Sequence, residues 1–384
     1  MNVLIRKETA PHIRRHDSLF RMLLDVIIGL APVSIMAMVA YTWRYLAILL
    51  ISVGTMVASE IVFVLIKNRV PYDGQKHTIK EHLKKGFAAL NVVNILAPMV
   101  SGMIFAMITP SSSDPGPVIY VAAFVGALFG MVIGKLVFGG TGQNIFNPAA
   151  LGMVFAKICF GSHYVYDGTY YVTNVSTTGT VLTSANKVLV EGLPDFLAHY
   201  EGINNAPILD MFLGRVPGVM GEGFKFAILI GLIYLLIRKA IDPRVIISFL
   251  GTFVLLVGVA GIFVATRVTD ASYGMFLLFE LCSGGMLFGM TYMLTDPVTM
   301  PINAPGRVMY GCLAAILTVF IRLFGAYPEG MAFAILFCNM LAPVLDYHAW
   351  SSSQFTKKKI IILSSIIALA LLIICLAFGL GGKL

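Results

Sequence analysis

Charged residues are scarce in this chain, and their scarcity excludes most classes of soluble protein. Only 12% of the residues are Asp, Glu, Lys or Arg, whereas 58% are hydrophobic. Such a composition indicates a polytopic membrane protein whose outer surface contacts the lipid bilayer. The formal net charge of +8 would suggest a nucleic-acid partner in a soluble chain. Here we expect no nucleic acid, because an excess of Lys and Arg is typical of cytoplasmic loops.

Cysteine is also rare, and the spacing of the cysteines excludes two kinds of site. The chain has five, far apart and without a CxxC pair, namely Cys159, Cys282, Cys312, Cys338 and Cys375. Neither a thiolate metal centre nor a disulfide framework fits that pattern, so we expect no metal site and interpret the cysteines as packing residues. A Rossmann G-x-G-x-x-G fingerprint is missing as well, which argues against a dinucleotide site on this chain.

Long apolar runs are abundant, and they predict an all-α membrane protein. Five runs form a first group, at Met22–Tyr41, Tyr45–Ile66, Gly86–Ile108, Val118–Phe138 and Pro148–Phe160. Five more form a second group, at Phe224–Ile237, Val245–Thr266, Gly274–Leu294, Val308–Phe324 and Met331–Tyr347. We interpret the groups as two repeats of five transmembrane helices with broken helices, and Ile360–Leu380 as an extra C-terminal helix.

The segments between these runs divide the chain into five parts and predict its orientation. Residues 1–21 form a basic tail, 22–160 the first repeat, 161–222 a polar loop, 223–347 the second repeat, and 348–384 a basic loop with the terminal helix. The tail and the loop Lys67–Lys85 are rich in Lys and Arg, whereas the loop 161–222 holds six acids and two bases. The positive-inside bias therefore places the N-terminus in the cytoplasm and the loop 161–222 outside the cell.

The first repeat contains a polar break around which the rest of the chain is organised. The stretch Val137–Gly152 reads VFGGTGQNIFNPAALG, so an apolar run stops at two glycines and resumes after Pro148. Irregular backbone and amide side chains such as Asn144 and Asn147 are costly in lipid, which favours a broken helix that lines a cavity. The alternative is a polar loop at the membrane surface, in which the Asn-Pro pair only begins the next helix.

The second repeat contains a similar break, MTYMLTDPVTMPINAPGR. There Asp296-Pro297 takes the place that Asn147-Pro148 has in the first repeat. Paired breaks of this kind mark a binding site between the repeats of a membrane protein.

Ionisable residues within or at the ends of the apolar runs are candidates for an ion path. They are Asp25, Glu60, Glu280, Asp296 and Asp346. A charge at the bilayer centre costs about 2.5–3.5 kcal/mol on insertion scales, so such side chains usually face a partner or a polar pathway. We predict that Asp296 and Asp346 lie on the path; the alternative is helix capping or pairing with an arginine such as Arg307. For Glu60, a capping or surface role is an equal alternative.

Several motifs, in the same order along the chain, resemble one family. They are ETAPHIRR near the N-terminus, GGTGQNIFNPAALG, GRVPGVMGE at Gly214–Glu222, TDPVTMP at Thr295–Pro301 and LAPVLDY at Leu341–Tyr347. Between Lys7 and Tyr347 the chain resembles the RnfD component of the Rnf complex, an ion-translocating ferredoxin:NAD⁺ oxidoreductase, and the similar NqrB component of the sodium-pumping NADH:quinone oxidoreductase. The resemblance implies two repeats of five helices, an FMN joined to a threonine by a phosphoester, and a buried riboflavin.

The resemblance also implies where the flavins are held. The family's FMN motif is Ser or Thr, then Gly or Thr, then Ala, then Thr, and the chain offers TTGT at 177–180 with Gly in place of Ala. Thr180 is therefore the predicted attachment site, and Thr178 is the second choice. Asn144 and Asn147 are the predicted riboflavin contacts, since amides match both the donors and the acceptors of an isoalloxazine. Without the family, the Ser/Thr/Gly run is typical of a flexible linker.

Together these features predict an electron-transfer subunit of a membrane redox pump in the inner membrane of a bacterial-type cell. The expected cofactors are covalent FMN and noncovalent riboflavin. The expected partners are the other membrane and peripheral subunits of the Rnf complex, which must handle NAD⁺ and ferredoxin, so the chain has no catalytic residues and should not turn over alone. Two other classes stay open, a channel or secondary transporter of the same fold and a passive scaffold. The carboxylates would serve Na⁺ or H⁺ equally.

Overall fold

The structure, a computed structural model, is all-α and polytopic. It describes residues 18–70, 78–110, 116–164, 166–167, 176–177, 207–214, 218–267, 273–325, 329–347, 352 and 354–380. Within those ranges five helices are long and apolar enough to cross a membrane, or six if one bent pair of helices counts as a single span. The strands found there are a two-residue antiparallel pair, β1 (Tyr166–Asp167) and β2 (Ser176–Thr177). The predicted all-α membrane fold is confirmed.

The described residues of the first half form five α-helices, which are α1 (Leu19–Lys67), α2 (Ile79–Ala88), α3 (Val93–Met107), α4 (Val118–Met131) and α5 (Pro148–Phe160). A π-helical turn, Val132–Leu136, continues α4, and a 3₁₀ turn, Gly161–His163, follows α5. The later helices are α6 (Pro207–Leu213), α7 (Lys225–Ile237), α8 (Pro243–Arg267), α9 (Tyr273–Cys282), α10 (Met286–Tyr292), α11 (Ala304–Phe324), α12 (Met331–Leu345) and α13 (Lys357–Leu380).

The longest helix, α1, contains both of the first two predicted spans. Its 49 residues would extend about 74 Å at 1.5 Å per residue, more than twice the roughly 30 Å of a bilayer core. Thr42, with φ 51° and ψ −131°, breaks the helix into two segments. The two predicted spans are therefore joined by a break at one residue.

Two other predicted spans differ from the observed helices. The predicted span Gly86–Ile108 contains only α3 as a continuous helix, and α2 precedes α3 at a bend of 78°. The predicted span Gly274–Leu294 is divided into α9 and α10. Gly284, at φ 60°, lies in this division, and a left-handed glycine commonly ends a helix.

The first segment of α1 docks on the second half of the chain. The Tyr292 hydroxyl of α10 donates a hydrogen bond of 2.8 Å to the carbonyl of Gly29. Asp25 accepts hydrogen bonds of 3.0 Å from both Tyr234 and Arg238 of α7. These contacts fix α7 and α10 against the first segment of α1.

The predicted extra helix, α13, lies at the edge of the bundle. Only 11% of its most apolar window is buried. Its buried apolar residues, Ala370, Ile374 and Phe378, recur every four residues and so form one stripe. The Phe378 ring centroid is 6.3 Å from that of Phe263 in α8 and 6.3 Å from that of Phe324 in α11. One stripe thus attaches α13 to the bundle.

Candidate functional site

The break between α4 and α5 takes a shape that its glycines permit. After the π-helical turn, residues 137–147 continue without regular helix. Gly139, Gly140 and Gly142 adopt φ values of 121°, 93° and 89°, a region that other residues rarely occupy. The helix predicted to be broken at GGTGQN is therefore broken there, and π-helical turns such as the one before it occur frequently at functional sites.

Side chains of α1 and α3 hold this break in place. The Thr141 hydroxyl donates a hydrogen bond of 2.8 Å to Glu60 Oε1, and the Asn94 amide donates one of 3.4 Å to the same oxygen. Two turns further along α1, Lys67 Nζ donates a hydrogen bond of 2.9 Å to the carbonyl of Gly139. The irregular segment is thus bound to the second segment of α1.

A buried ion pair completes this attachment. Lys135 Nζ, in the π-helical turn, lies 3.5 Å from Glu60 Oε2, and the two side chains are 4% and 1% exposed. Glu60 Oε2 has no hydrogen-bond partner within the part of the chain that the structure describes. The surface or capping role left open for Glu60 is therefore wrong, because Glu60 is the buried anion of the break. Sequence reasoning also missed Lys135, although a lysine inside an apolar run was a usable signal.

The two asparagines of the break lie in different contacts. Asn147 is the N-cap of α5, where its Oδ1 accepts hydrogen bonds from the backbone N–H groups of Ala149 and Ala150 at 3.1 and 3.2 Å. Its Nδ2 donates a bond of 3.3 Å to the carbonyl of Met293 in the second half. Asn144 Nδ2 donates to the carbonyl of Phe146 at 3.4 Å. Asn147 thus begins the next helix, as the alternative interpretation of the break expects, but it also contacts the second half. Neither asparagine lies at the surface.

Residues of both breaks line a cavity of about 100 Å³. Its polar lining comes from both halves, with Lys135, Thr141, Asn144 and Asn147 from the first and Thr291, Tyr292, Thr295 and Asp296 from the second. Apolar side chains, among them Leu23 of α1, Ile104 of α3 and Leu235 of α7, close the rest. Three of the predicted site residues therefore share one cavity between the halves.

A riboflavin would find suitable partners in this cavity but too little room. The Asn144 amide and the hydroxyls of Thr141 and Thr295 supply both donors and acceptors. The volume of about 100 Å³ is below the roughly 300–1,000 Å³ of ordinary small-molecule sites. A flavin would have to displace lining side chains such as Leu23. As it stands, the cavity fits a few water molecules or a small ion.

The second break places its two carboxylates in different surroundings. Asp296 lines the cavity, and its Oδ1 accepts a hydrogen bond of 3.1 Å from the backbone N–H of Val298. Asp346 follows α12 and accepts bonds from the N–H of Ile302 at 2.9 Å and from Asn303 Nδ2 at 2.7 Å. The Asp346 carboxylate therefore joins the end of α12 to the residues that begin α11.

The two breaks do not match in the way that the sequence suggested. No helix in the described ranges begins at Asp296-Pro297; the next one, α11, begins after its N-cap Asn303, whose Oδ1 accepts from Gly306 N. Asn303 is thus the counterpart of Asn147, since both cap a helix that has a proline in its first turn. The pairing suggested for Arg307 is also wrong, because Arg307 forms its ion pair with Asp242.

The predicted FMN sites cannot be placed in this geometry. Thr180 and Thr178 lie outside the described residues, as does most of the loop 161–222. Their assignment stays a prediction from the motif.

A second group of charged residues, buried or half-buried, lies where α9 and α11 end. Arg322 Nη1 is 3.3 Å from Glu280 Oε2, and Nη2 is 3.2 Å from Glu329 Oε1. Glu329 Oε2 also accepts a hydrogen bond of 2.7 Å from the N–H of Gly285, between α9 and α10. In the loop before α7, burial and the nearby Glu329 carboxylate raise the pKa of Glu222 to about 7. None of these residues lines the cavity, so this cluster is separate from it.

Named relatives match either nearly all of this chain or about two thirds of it. The D component of the Na(+)-translocating ferredoxin:NAD(+) oxidoreductase complex of Acetobacterium woodii is 28% identical over 355 residues, 92% of this chain and 93% of that protein. The B component of the Na(+)-translocating NADH-quinone reductase of Chromohalobacter salexigens is 35% identical over 250 residues, 65% of this chain and 57% of that protein. Its Pseudomonas aeruginosa counterpart is 34% identical over 252 residues, 65% of this chain and 58% of that protein. The chain thus spans less than two thirds of the two reductase components.

Family membership rests on a match that covers both halves of the bundle. Residues 6–354 match the model of the NQR2, RnfD, RnfE family. The match includes both breaks and all the residues that line the cavity, and the resemblance based on the sequence motifs is confirmed. The chain is a multi-pass membrane protein that belongs to the NQR2, RnfD, RnfE family.

Proposed function

We propose that this chain is the flavin-carrying electron-transfer subunit of a membrane-bound ferredoxin:NAD⁺ oxidoreductase that couples electron transfer to Na⁺ or H⁺ translocation. Other subunits of the complex would bind NAD⁺ and ferredoxin. FMN joined to Thr180 would supply one-electron chemistry, and the protein would hold the flavin and exclude side reactions.

The observation that carries this proposal is the charged cavity between the two halves. A redox-coupled ion pump needs a small polar volume inside the bundle, and buried ionisable residues at a repeat interface are where membrane transporters have it. Similarity along 92% of the chain to the Acetobacterium woodii protein supports the ferredoxin:NAD⁺ complex over the quinone reductase, whose B component is matched over only part of its length.

Thr180→Ala is expected to abolish the covalent FMN, because the substitution removes the hydroxyl that would form the phosphoester. The measurement is in-gel flavin fluorescence of the denatured chain, followed by mass mapping of the peptide that carries the adduct. Thr178→Ala is the matched control and should keep full fluorescence. An adduct that persists in Thr180→Ala and maps to Thr178 would shift the site by two residues, and a wild-type chain without any adduct would end the flavin proposal.

The proposed riboflavin would enter this cavity only by displacing lining side chains such as Leu23. Asn144→Leu is then expected to lower the noncovalent riboflavin extracted from the purified complex, because it removes the amide that lines the cavity. Asn147 is unsuitable for this test, since its side chain also caps α5. Gln143→Leu is the control, because Gln143 is exposed and does not line the cavity. Equal riboflavin content in all three proteins would place that flavin elsewhere, in agreement with the small volume of the cavity.

Asp296→Asn is expected to reduce ion transport more than electron transfer, because it removes the carboxylate that faces the cavity. The measurement is the number of ions moved per electron in sealed vesicles that contain the flavin-loaded complex. Asp346→Asn is the comparison. Its contacts favour a structural role, although Asp346 stays a predicted path residue until it is tested. Wild-type stoichiometry in Asp296→Asn would move the ion path away from this cavity.

A stand-alone channel or secondary transporter is the second candidate function. The same observation favours it, since a polar cavity between two halves would also serve a transported solute. An SDS-stable flavin on the wild-type chain decides between the two, because a channel needs none.

A further inference from the structure

The short helix α2 carries an exposed apolar stripe beside a row of lysines, and the proposed function uses neither. The side chains of Ile79, Leu83 and Phe87 are 75%, 41% and 56% exposed. Their spacing of four residues places them on one face of the helix. Lys80 and Lys84, one position further along in each turn, are also exposed. The helix is therefore amphipathic on its outer side.

Another face of α2 is fixed against the end of α1. Gly86 is buried there, and a Cβ at this position would lie 2.9 Å from Leu65 Cα, so only glycine allows the approach. His82 Nδ1 accepts a hydrogen bond of 3.1 Å from the N–H of Val70. At about 100° per residue, the apolar stripe lies between this contact face and the face of Lys80 and Lys84.

The bend between α2 and α3 fits a helix that lies on a membrane surface. Helix α2 is bent by 78° from α3, and α3 is an apolar helix packed in the bundle. If α3 crosses the bilayer, a helix nearly perpendicular to it runs along the bilayer surface. The N-terminus is stabilised by a capping box between Thr78 and Glu81, in which the Glu81 carboxylate accepts a hydrogen bond of 3.0 Å from the backbone N–H of Thr78. This donor therefore needs no acceptor from the bundle.

We propose that α2 is an in-plane helix whose apolar stripe enters the acyl boundary and whose lysines bind anionic phospholipid headgroups. The positive charge of the helix favours anionic phospholipid as its partner. The ten residues of α2 hold Lys80, Lys84 and Lys85 against the single acid Glu81, and Lys67 lies at the end of the neighbouring α1. Basic amphipathic helices bind anionic membranes through these two contributions. The core of a protein–protein interface, by contrast, is depleted in lysine.

Depth-dependent fluorescence quenching tests this proposal. The purified complex is placed in phosphatidylcholine vesicles, with or without phosphatidylglycerol, whose acyl chains carry bromine. Leu83→Trp reports from the stripe, and Ala88→Trp reports from an exposed position on the far side of the helix. The wild type corrects for Trp43 and Trp350. Bromine is expected to quench Trp at position 83 roughly twofold more than Trp at position 88, and phosphatidylglycerol should increase the difference.

A second variant separates the charge from the apolar stripe. Changing Lys80, Lys84 and Lys85 together to Gln is expected to remove the effect of phosphatidylglycerol while quenching at position 83 persists. Equal quenching at positions 83 and 88 would overturn the proposal. A second result would also overturn it. If lipid bromine does not quench the Leu83→Trp complex and position 83 cross-links to a neighbouring protein of the complex, the stripe is a protein contact.

Discussion

Replacing Lys135 with methionine is expected to lower the free energy of unfolding by about 3–5 kcal/mol, the usual cost of removing one partner of a buried ion pair. Methionine keeps the apolar stem, but it leaves the Glu60 carboxylate, 1% exposed, without its cation. Among the residues that the structure describes, only Thr141 and Asn94 then still donate hydrogen bonds to it. The measurement is the unfolding midpoint of the purified complex, which should fall by several degrees.

Two matched variants make that result specific to the pair. Lys67→Met removes another lysine that binds the same break, but Lys67 is exposed, so a loss of about 1 kcal/mol or less is expected. The double variant Glu60→Gln with Lys135→Met removes both charges and should recover most of the stability lost in the single variant. Equal losses for the two lysine variants would contradict a buried pair.

A single methyl group at Gly130 is the second substitution for which a large effect is expected. A Cβ there would lie 2.2 Å from the carbonyl oxygen of Pro148 and 2.9 Å from the backbone of Gly152. Because both contacts are to backbone, no side-chain rotation relieves them, and α4 and α5 must separate. We expect Gly130→Ala to cost about 3 kcal/mol or more, at the upper end for overpacked positions. The break between these helices would be displaced with them.

Gly54→Ala is the control, because Gly54 is also helical but a Cβ there meets no described atom within 4 Å. It should be neutral or stabilising by up to about 1 kcal/mol, owing to the better helix propensity of alanine. The measurement is the yield and unfolding midpoint of the monodisperse protein after size-exclusion chromatography. A Gly130→Ala protein that matches Gly54→Ala in both would show that α4 and α5 tolerate a wider spacing.

The features of the site that could be predicted depend on residues that are adjacent in the sequence. The break at GGTGQN follows from glycines that favour left-handed backbone, and the start of α5 follows from Asn147 before a proline. The pair of Glu60 with Lys135 was not predictable, because it joins distant segments whose contact depends on how α1 packs against the break. The choice of Asn303 over Asp296 as the second helix start depends likewise on Asp346, which fixes Asn303 from the far end of α12.

Helix α2 is a second element that the sequence analysis did not predict. Because of its lysines, most of this segment was predicted to be a basic loop. Counting charges does not detect the four-residue spacing of Ile79, Leu83 and Phe87. The period of the apolar residues was the stronger signal for a short helix.

The single stripe that attaches α13 makes this helix separable from the rest of the bundle. The family match stops at residue 354, and α13 begins at Lys357. The helix contacts the bundle through Ala370, Ile374 and Phe378 and through partly buried neighbours such as Ile367 and Leu371. None of its residues lines the cavity, so we expect the loss of this helix to leave the cavity and the two breaks unchanged. Helix α13 is thus an addition to the bundle that the family shares, and it takes no part in the cavity between the halves.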